Sequence, residues 1–206
     1  MLTNEQIEQL SPKMGIPLAG VFFKDELPRK LEYNKSYFIN LQDSTELDGS
    51  ENDGTHWCFL QVNKYPSGKI EPFFFDPYGQ APSENIISFV KNNCAKYLPY
   101  SKKDIQSLMN NACGYYCLAL SHFINSNPLK TGDMYEDVER FLEMFDDLNE
   151  KVDWKKNEYI LKHFFQPKDP RLRREIDVLV DTDKITGQDE RGGYNMMKLG
   201  VDTKFI

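Results

Sequence analysis

Residues 57–79 read WCFLQVNKYPSGKIEPFFFDPYG, and this stretch decides the fold class of the chain. Its two ends, residues 57–62 and 71–75, are rich in aromatic and β-branched side chains, which is typical of β-strands. The sequence Tyr-Pro-Ser-Gly at residues 65–68 is a turn signal between them. Two strands joined by so short a turn predict an antiparallel hairpin.

The chain before the hairpin predicts one helix and one further strand. Thr3 and Gln6 have the spacing of a capping box, which predicts a short helix that ends near residues 11–12, Ser-Pro. Residues 36–41, SYFINL, have the composition of a strand. An acidic loop that contains glycine connects this strand to the hairpin.

The chain after the hairpin predicts helices. Ser83 is an N-cap residue before apolar side chains that recur at helical spacing as far as Tyr97, and a second helix is predicted from Cys113 to about Asn125. Strands followed by helices, without alternation of the two, predict an α+β fold with a central mixed or antiparallel sheet flanked by helices.

Length and charge limit the function classes. A chain of 206 residues forms one domain, or one domain with an appended arm. Its net charge of −7 argues against nucleic acid or an anionic membrane as the main partner. Without an apolar run long enough for a membrane span or an N-terminal signal-peptide pattern, we expect a protein that is neither secreted nor membrane-bound.

A change of character at Pro128 predicts the domain organisation. Residues 1–128 are expected to form the core, and residues 129–206, which are much more charged, a mostly helical C-terminal extension. The extension's two amphipathic patterns lie at residues 138–145 and 154–165, and its last 20 or so residues are predicted to be flexible.

A cysteine at the start of the second helix carries the first chemical signal. Cys113 follows the polar residues Asn-Asn and opens an apolar helix, so the first-turn N–H groups would favour the thiolate that a nucleophile needs. Gly114 would let a substrate carbonyl approach the backbone. His56, just before a strand, is a candidate base, and Asp76, in an Asp-Pro-Tyr-Gly turn, could hold its carboxylate toward His56 Nδ1. Each of these residues alone is more often structural.

The order His, Asp, Gln, Cys-Gly resembles the adenovirus maturation protease family and, more widely, the SUMO-protease clan. The resembling pieces are residues 54–57 (GTHW), 74–79 (FFDPYG) and 106–117 (QSLMNNACGYYC). Residues 14–28 and 36–44 look like the versions carried by large DNA viruses, virophages and Polinton-type elements. The resemblance covers residues 2 to about 125 and does not extend to the C-terminal region.

The resemblance implies a papain-like, or adenain-like, cysteine protease. Cys113 would be the nucleophile, His56 the base and Asp76 the group that orients the histidine. Gln106 would donate from its side-chain amide to the oxyanion, with the Cys113 backbone N–H as the second donor. Trp57 is expected to pack under the histidine ring, and Trp57 and Gly114 to contribute to substrate binding.

The function implied is a thiol endopeptidase that processes viral capsid or precursor proteins at Gly-Gly sites, in the virion and the infected cell. Two alternatives stay open, namely an isopeptidase that removes a ubiquitin-like modifier and an inactive protein-binding module. The expected partners are protein substrates and a peptide activator, whereas no cofactor and no metal are expected. Adenoviral relatives use nucleic acid as an activator, but the acidic charge of this chain argues against carrying that over. The only close cysteine pair, Cys113 and Cys117, lacks the second pair that structural zinc requires.

The remaining reactive residues have structural interpretations. Cys58, Cys94 and Cys117 are expected to be free packing residues, and His122 and His163 to lie at the edge of the core. In the C-terminal region, the Gly-Gly pair at residues 192–193 suggests a self-processing site before Tyr194, although a flexible glycine turn is the favoured interpretation.

Overall fold

The computed structural model describes residues 2–50, 52, 54–108, 110–150 and 154–165. Within these residues the chain forms a four-stranded sheet, five α-helices and a short 3-10 turn. The strands are β1 (Leu18–Phe23), β2 (Ser36–Asn40), β3 (Trp57–Lys64) and β4 (Ile70–Phe75). The helices are α1 (Asn4–Lys13), α2 (Glu84–Asn93), α3 (Cys113–Ser126), α4 (Met134–Glu143) and α5 (Trp154–Phe164), with the 3-10 turn at Leu148–Glu150.

The sheet is mixed, with the strand order β1-β2-β3-β4. Strand β3 pairs antiparallel with both β2 and β4, and β1 pairs parallel with β2. The predicted hairpin is confirmed, since the Gly68 N–H donates to the Tyr65 carbonyl at 2.9 Å in the turn between β3 and β4. The α+β class is therefore confirmed.

Strand β1 has no counterpart among the predicted elements. Its six residues are all half-buried, so the strand lacks the alternation of apolar and polar positions that marks a strand in sequence. Its register with β2 also shifts between Leu18 and Gly20. Its pairing with β2 is what gives the sheet its parallel component.

Two predicted helix ends differ from the structure. Helix α1 has the predicted capping box but continues past Pro12 to Lys13. Helix α2 ends at Asn93, so Tyr97 lies outside it and is 82% exposed. Ser83 occupies the N-cap position of α2 but makes no side-chain capping bond.

The sheet lies between two apolar layers. Side chains such as Phe38, Phe59 and Phe75 point toward α1, α3, α4 and α5, and those such as Tyr37 and Leu60 point toward α2. Helix α3 is buried along almost its whole length, which explains why it is apolar all round.

The C-terminal helices pack into the same apolar cluster as α3 and the sheet. The Phe141 ring contacts the Phe75 and Phe123 rings, and the Phe165 ring contacts Tyr115. The two predicted helical patterns of this region are confirmed as α4 and α5, whereas the boundary at residue 128 stays a prediction. The predicted flexible tail and the Gly-Gly pair at 192–193 lie outside the described residues. Among the helices described, none combines the length and apolarity of a membrane span.

Candidate active site

The hairpin brings His56 and Asp76 together. His56 directly precedes β3 and Asp76 directly follows β4, and antiparallel pairing puts these two strand ends side by side. Asp76 Oδ1 lies 2.8 Å from His56 Nε2, and the Asp76 side chain is fully buried. A carboxylate can only accept this bond, so Nε2 carries the proton. The expected contact through Nδ1 is therefore wrong: Asp76 orients the ring through Nε2, which leaves Nδ1 for a thiol.

The Asp-Pro-Tyr-Gly turn is present as predicted, and it holds the Asp76 carboxylate. The Gly79 N–H donates to the Asp76 carbonyl at 2.8 Å, and the Tyr78 N–H donates to Asp76 Oδ1 at 2.8 Å. The Cys58 thiol donates to Asp76 Oδ2 at 3.3 Å. With these donors and His56, both carboxylate oxygens are satisfied inside the protein. These hydrogen bonds compensate for the burial of the Asp76 side chain.

Cys113 is the first residue of α3 and interacts with His56. Its side chain is buried, with the residue 2% exposed. Burial alone would lower the pKa of His56, but the hydrogen bond with Asp76 and the interaction with Cys113 outweigh it and raise this pKa to about 9. His56 Nδ1 is buried and has no hydrogen-bond partner among the residues that the structure describes. At neutral pH the favoured form of His56 is therefore the imidazolium, which stabilises a neighbouring thiolate.

Gln106 lies beside the same turn. Its backbone N–H and that of Ile105 donate to the Pro77 carbonyl, at 3.2 and 2.9 Å. Its side-chain Nε2 donates to the Tyr78 hydroxyl and to the Asn110 carbonyl, each at 3.1 Å. Its Oε1 is buried and finds no hydrogen-bond partner within the described part of the chain. The turn that holds Asp76 thus also fixes the position of the Gln106 amide.

Tyr78 is the residue that sequence reasoning missed. Its ring stacks on the His56 ring, with centroids 4.7 Å apart and an interplanar angle of 24°. Its hydroxyl contacts Gln106, and its backbone N–H contacts Asp76. The signal was its place in the turn, two residues after Asp76, but a turn sequence does not reveal where a side chain points.

Trp57 and Gly114 have different neighbours from those expected. Trp57 is 1% exposed and its indole N–H donates to the Leu2 carbonyl at 2.9 Å, while Tyr78 is the ring that stacks on His56. The packing of Trp57 under the histidine stays a prediction. A Cβ on Gly114 would approach Leu2 and Trp57 to 3.2 Å, so the glycine makes room for these buried side chains. A role of either residue in substrate binding stays a prediction.

The other cysteines are free thiols with structural contacts. Cys117 is fully buried and donates to the Trp57 carbonyl at 3.4 Å. Burial raises the pKa of Cys58 and of Cys117 well above the usual thiol value, so both stay protonated. The half-buried Cys94 donates to the Val90 carbonyl. The structural interpretation of these three is confirmed, although Cys58 also contacts Asp76.

The two remaining histidines contact backbone carbonyls. His122 Nδ1 lies 2.7 Å from the Met14 carbonyl, and burial lowers the pKa of His122. His163 Nδ1 lies 2.9 Å from the Tyr159 carbonyl. Both imidazole rings are therefore held by backbone carbonyls outside the His56 site.

One set of potential metal ligands overlaps the site. Ligand atoms of His56, Cys58 and Asp76 lie within 4.8 Å of one another. Both Asp76 oxygens, however, already accept hydrogen bonds from the other two residues. Because Cys58 keeps its proton, this grouping is explained by hydrogen bonding among the three side chains.

The C-terminal helices hold the other side of the Gln106 segment, which we define as residues 101–106. Asn157 of α5 donates from Nδ2 to the Ile105 carbonyl at 3.1 Å and to the Asp146 carbonyl at 2.7 Å, and its Oδ1 accepts from the Asp146 N–H at 2.8 Å. The Leu148 N–H donates to the Asp104 carbonyl at 2.8 Å. The segment is thus bonded on one side to the turn and on the other to the C-terminal helices.

No protein-family model matches the chain, and no curated protein sequence matches it either. Assignment to the adenovirus maturation protease family therefore stays a prediction from the motifs.

Proposed function

We propose that this protein is a papain-like cysteine endopeptidase that cleaves proteins at Gly-Gly sites. One observation carries the proposal: His56 is bonded through Nε2 to a buried carboxylate and interacts with a cysteine at the N-terminus of a buried helix. This arrangement is one that activates a thiol for nucleophilic attack. The preference for Gly-Gly and the choice of viral capsid or precursor proteins rest on the motif resemblance alone.

In the proposed reaction, the Cys113 thiolate attacks the scissile carbonyl carbon and forms the C–S bond. The electron pair of the carbonyl moves to the oxygen, where the Cys113 N–H and the Gln106 amide would stabilise it. The C–N bond then breaks, and the His56 imidazolium gives its proton to the leaving amine. Water, deprotonated by His56, hydrolyses the thioester and regenerates Cys113.

The test is a cleavage assay with three substrates and one matched variant. A peptide that contains Gly-Gly, a conjugate of a ubiquitin-like modifier and a peptide without glycine would be incubated with the wild-type protein and with Cys113→Ala. We expect cleavage of the Gly-Gly peptide by the wild type and none by Cys113→Ala. Cleavage of the conjugate alone would favour the isopeptidase, and cleavage of none of the three would favour the binding module.

Alkylation of the native protein provides a second readout. Cys113 is expected to react with iodoacetamide at neutral pH faster than the buried, protonated Cys58 and Cys117, because the thiolate is the reacting form. Peptide mapping by mass spectrometry would identify the labelled cysteine. Equal labelling of all the thiols would contradict the assignment of Cys113 as the nucleophile.

A further inference from the structure

We infer that the hydroxyl of Tyr78 donates a hydrogen bond to the oxyanion, as a third donor beside Gln106 and the Cys113 N–H. This inference rests on the proposed function and adds a catalytic residue to it. Its basis is the hydrogen bond between the Tyr78 hydroxyl and Gln106 and the stacking of the Tyr78 ring on His56.

The hydrogen bonds that the Gln106 amide already donates show why a further oxyanion donor is needed. A side-chain amide has two N–H donors, and both are used in this structure, one by the Asn110 carbonyl and one by the Tyr78 hydroxyl. Gln106 can donate to an oxyanion only if one of these bonds is exchanged. The Asn110 carbonyl can only accept. The Tyr78 hydroxyl can also donate, so it can turn from accepting from Gln106 to donating to the oxyanion.

The surroundings of Tyr78 keep its hydroxyl protonated and bonded to Gln106. Burial raises the pKa of Tyr78 to about 12, so its hydroxyl keeps its proton at neutral pH. Among the residues that the structure describes, the hydroxyl accepts from Gln106 and its own proton has no acceptor. A proton that is retained and available is the requirement for a neutral oxyanion donor.

The turn holds the tyrosine in a defined position. Its ring is stacked on His56, and its backbone N–H is bonded to Asp76. Donation from such a preorganised group needs little reorganisation when the charge develops on the carbonyl oxygen. When Cys113 attacks, the carbonyl π pair becomes the oxyanion lone pair, and Tyr78 shares its proton with that oxygen without transferring it. When the C–N bond breaks, the carbonyl forms again and the tyrosine is unchanged.

The experiment compares two reactions of the same cysteine. Alkylation by iodoacetamide is a displacement at carbon that forms no oxyanion, whereas hydrolysis of a Gly-Gly-aminomethylcoumarin peptide amide passes through one. Tyr78→Phe removes the hydroxyl and keeps the ring that stacks on His56. Tyr97→Phe is the matched control, because Tyr97 is 82% exposed and lies outside α2. Circular dichroism would verify that both variants are folded.

We expect Tyr78→Phe to lower kcat/KM for the peptide amide by ~10²-fold, the usual effect of losing one oxyanion donor. Its rate of Cys113 alkylation and the pH profile of that rate should match those of the wild type. A similar loss in both reactions would overturn the inference, since Tyr78 would then act through His56 or through the fold. Wild-type hydrolysis rates in Tyr78→Phe would overturn it as well. If the wild type does not hydrolyse the amide and its Cys113 is not selectively alkylated by iodoacetamide, the proposed function is wrong.

Discussion

The turn at residues 76–79 and the C-terminal helices support the same segment of chain from opposite sides, with different chemistry. The turn bonds to the Gln106 segment through the Pro77 carbonyl, and its own side chains, Asp76 and Tyr78, contact His56 and Gln106. The C-terminal helices reach the segment through Asn157, which bonds to the Ile105 carbonyl. The turn therefore holds the Gln106 segment and also carries side chains that we propose act in the reaction. Asn157, in contrast, bonds to backbone groups and so supports the segment.

Because the two regions support the segment differently, mutations in them should affect the rate of reaction and the stability to different extents. A change in the turn displaces groups that would act on the substrate, so it should reduce the rate of reaction more than the stability. A change at Asn157 leaves buried backbone groups without partners, so it should reduce stability more than the rate. Four substitutions test this division, beginning with the largest expected effect.

Replacing Asp76 should give the largest loss of activity. In Asp76→Ala, His56 Nε2 and the Tyr78 N–H both lose their acceptor, so neither the imidazole nor the tyrosine ring stays oriented. We expect kcat/KM for a Gly-Gly peptide to fall by ~10³-fold or more, as for the loss of an orienting carboxylate. Steady-state hydrolysis measures the effect. A loss below tenfold would show that the turn has no part in orienting the base.

Replacing Gly79 should displace the turn from the Gln106 segment. Gly79 has a φ of +68°, and a Cβ there would overlap the Lys102 carbonyl oxygen. Since a shift of about 1 Å can cost ~10²-fold in rate, we expect a loss of that order for Gly79→Ala.

The control for this variant is Gly68→Ala in the hairpin turn. Gly68 has a similar φ of +86°, but the space around its Cβ position is open. The control should therefore lose only the ~1–2 kcal/mol of left-handed strain, measured by urea unfolding, and keep its activity. If Gly79→Ala and Gly68→Ala lose the same activity, the overlap with the Lys102 carbonyl is not the cause of the loss.

Replacing Asn157 should affect stability first. Asn157→Asp keeps the acceptor for the Asp146 N–H but puts a carboxylate against the Ile105 and Asp146 carbonyls. We expect the free energy of unfolding to fall by ~1–3 kcal/mol, as for buried groups that lose a partner, and the rate to fall by about tenfold or less. Asn92→Asp is the control, because Asn92 is exposed on α2. An unchanged unfolding free energy in Asn157→Asp would contradict the role of this link.

Replacing Glu158 should have the smallest effect on activity and should change only the pH dependence of stability. Burial raises the pKa of Glu158 to about 8, above its ordinary 4.5, so folding favours the protonated form. The resulting stabilisation is fully present below pH 4.5 and is lost as the pH rises through 8. Glu158→Gln should therefore be more stable than the wild type at pH 9, by about 1 kcal/mol or more, with unchanged hydrolysis. Urea unfolding at pH 5 and 9 measures this difference, with Glu143→Gln as control because Glu143 is exposed. If the unfolding free energies of the wild type and Glu158→Gln depend on pH in the same way, the prediction is contradicted.

Much of the sheet and of the candidate site could be predicted from local sequence. The hairpin, the Asp76 turn and the start of α3 at Cys113 follow from composition and turn residues over a few positions. Strand β1 could not be predicted, because its half-buried edge position leaves no alternation. The early end of α2 was also missed, since the apolar spacing continues beyond the last helical residue.

The sequence by itself determined the α+β class, the hairpin and the residue types from which the site is built, because short-range backbone preferences are encoded in neighbouring residues. Only the tertiary structure decided which nitrogen of His56 meets Asp76, which ring stacks on His56 and how Asn157 supports the Gln106 segment. These contacts join residues that lie 20 to 52 positions apart in the chain. In addition, a turn sequence does not specify the direction in which its side chains point. Their geometry is set by the packing of the sheet against the helices, which no local pattern contains.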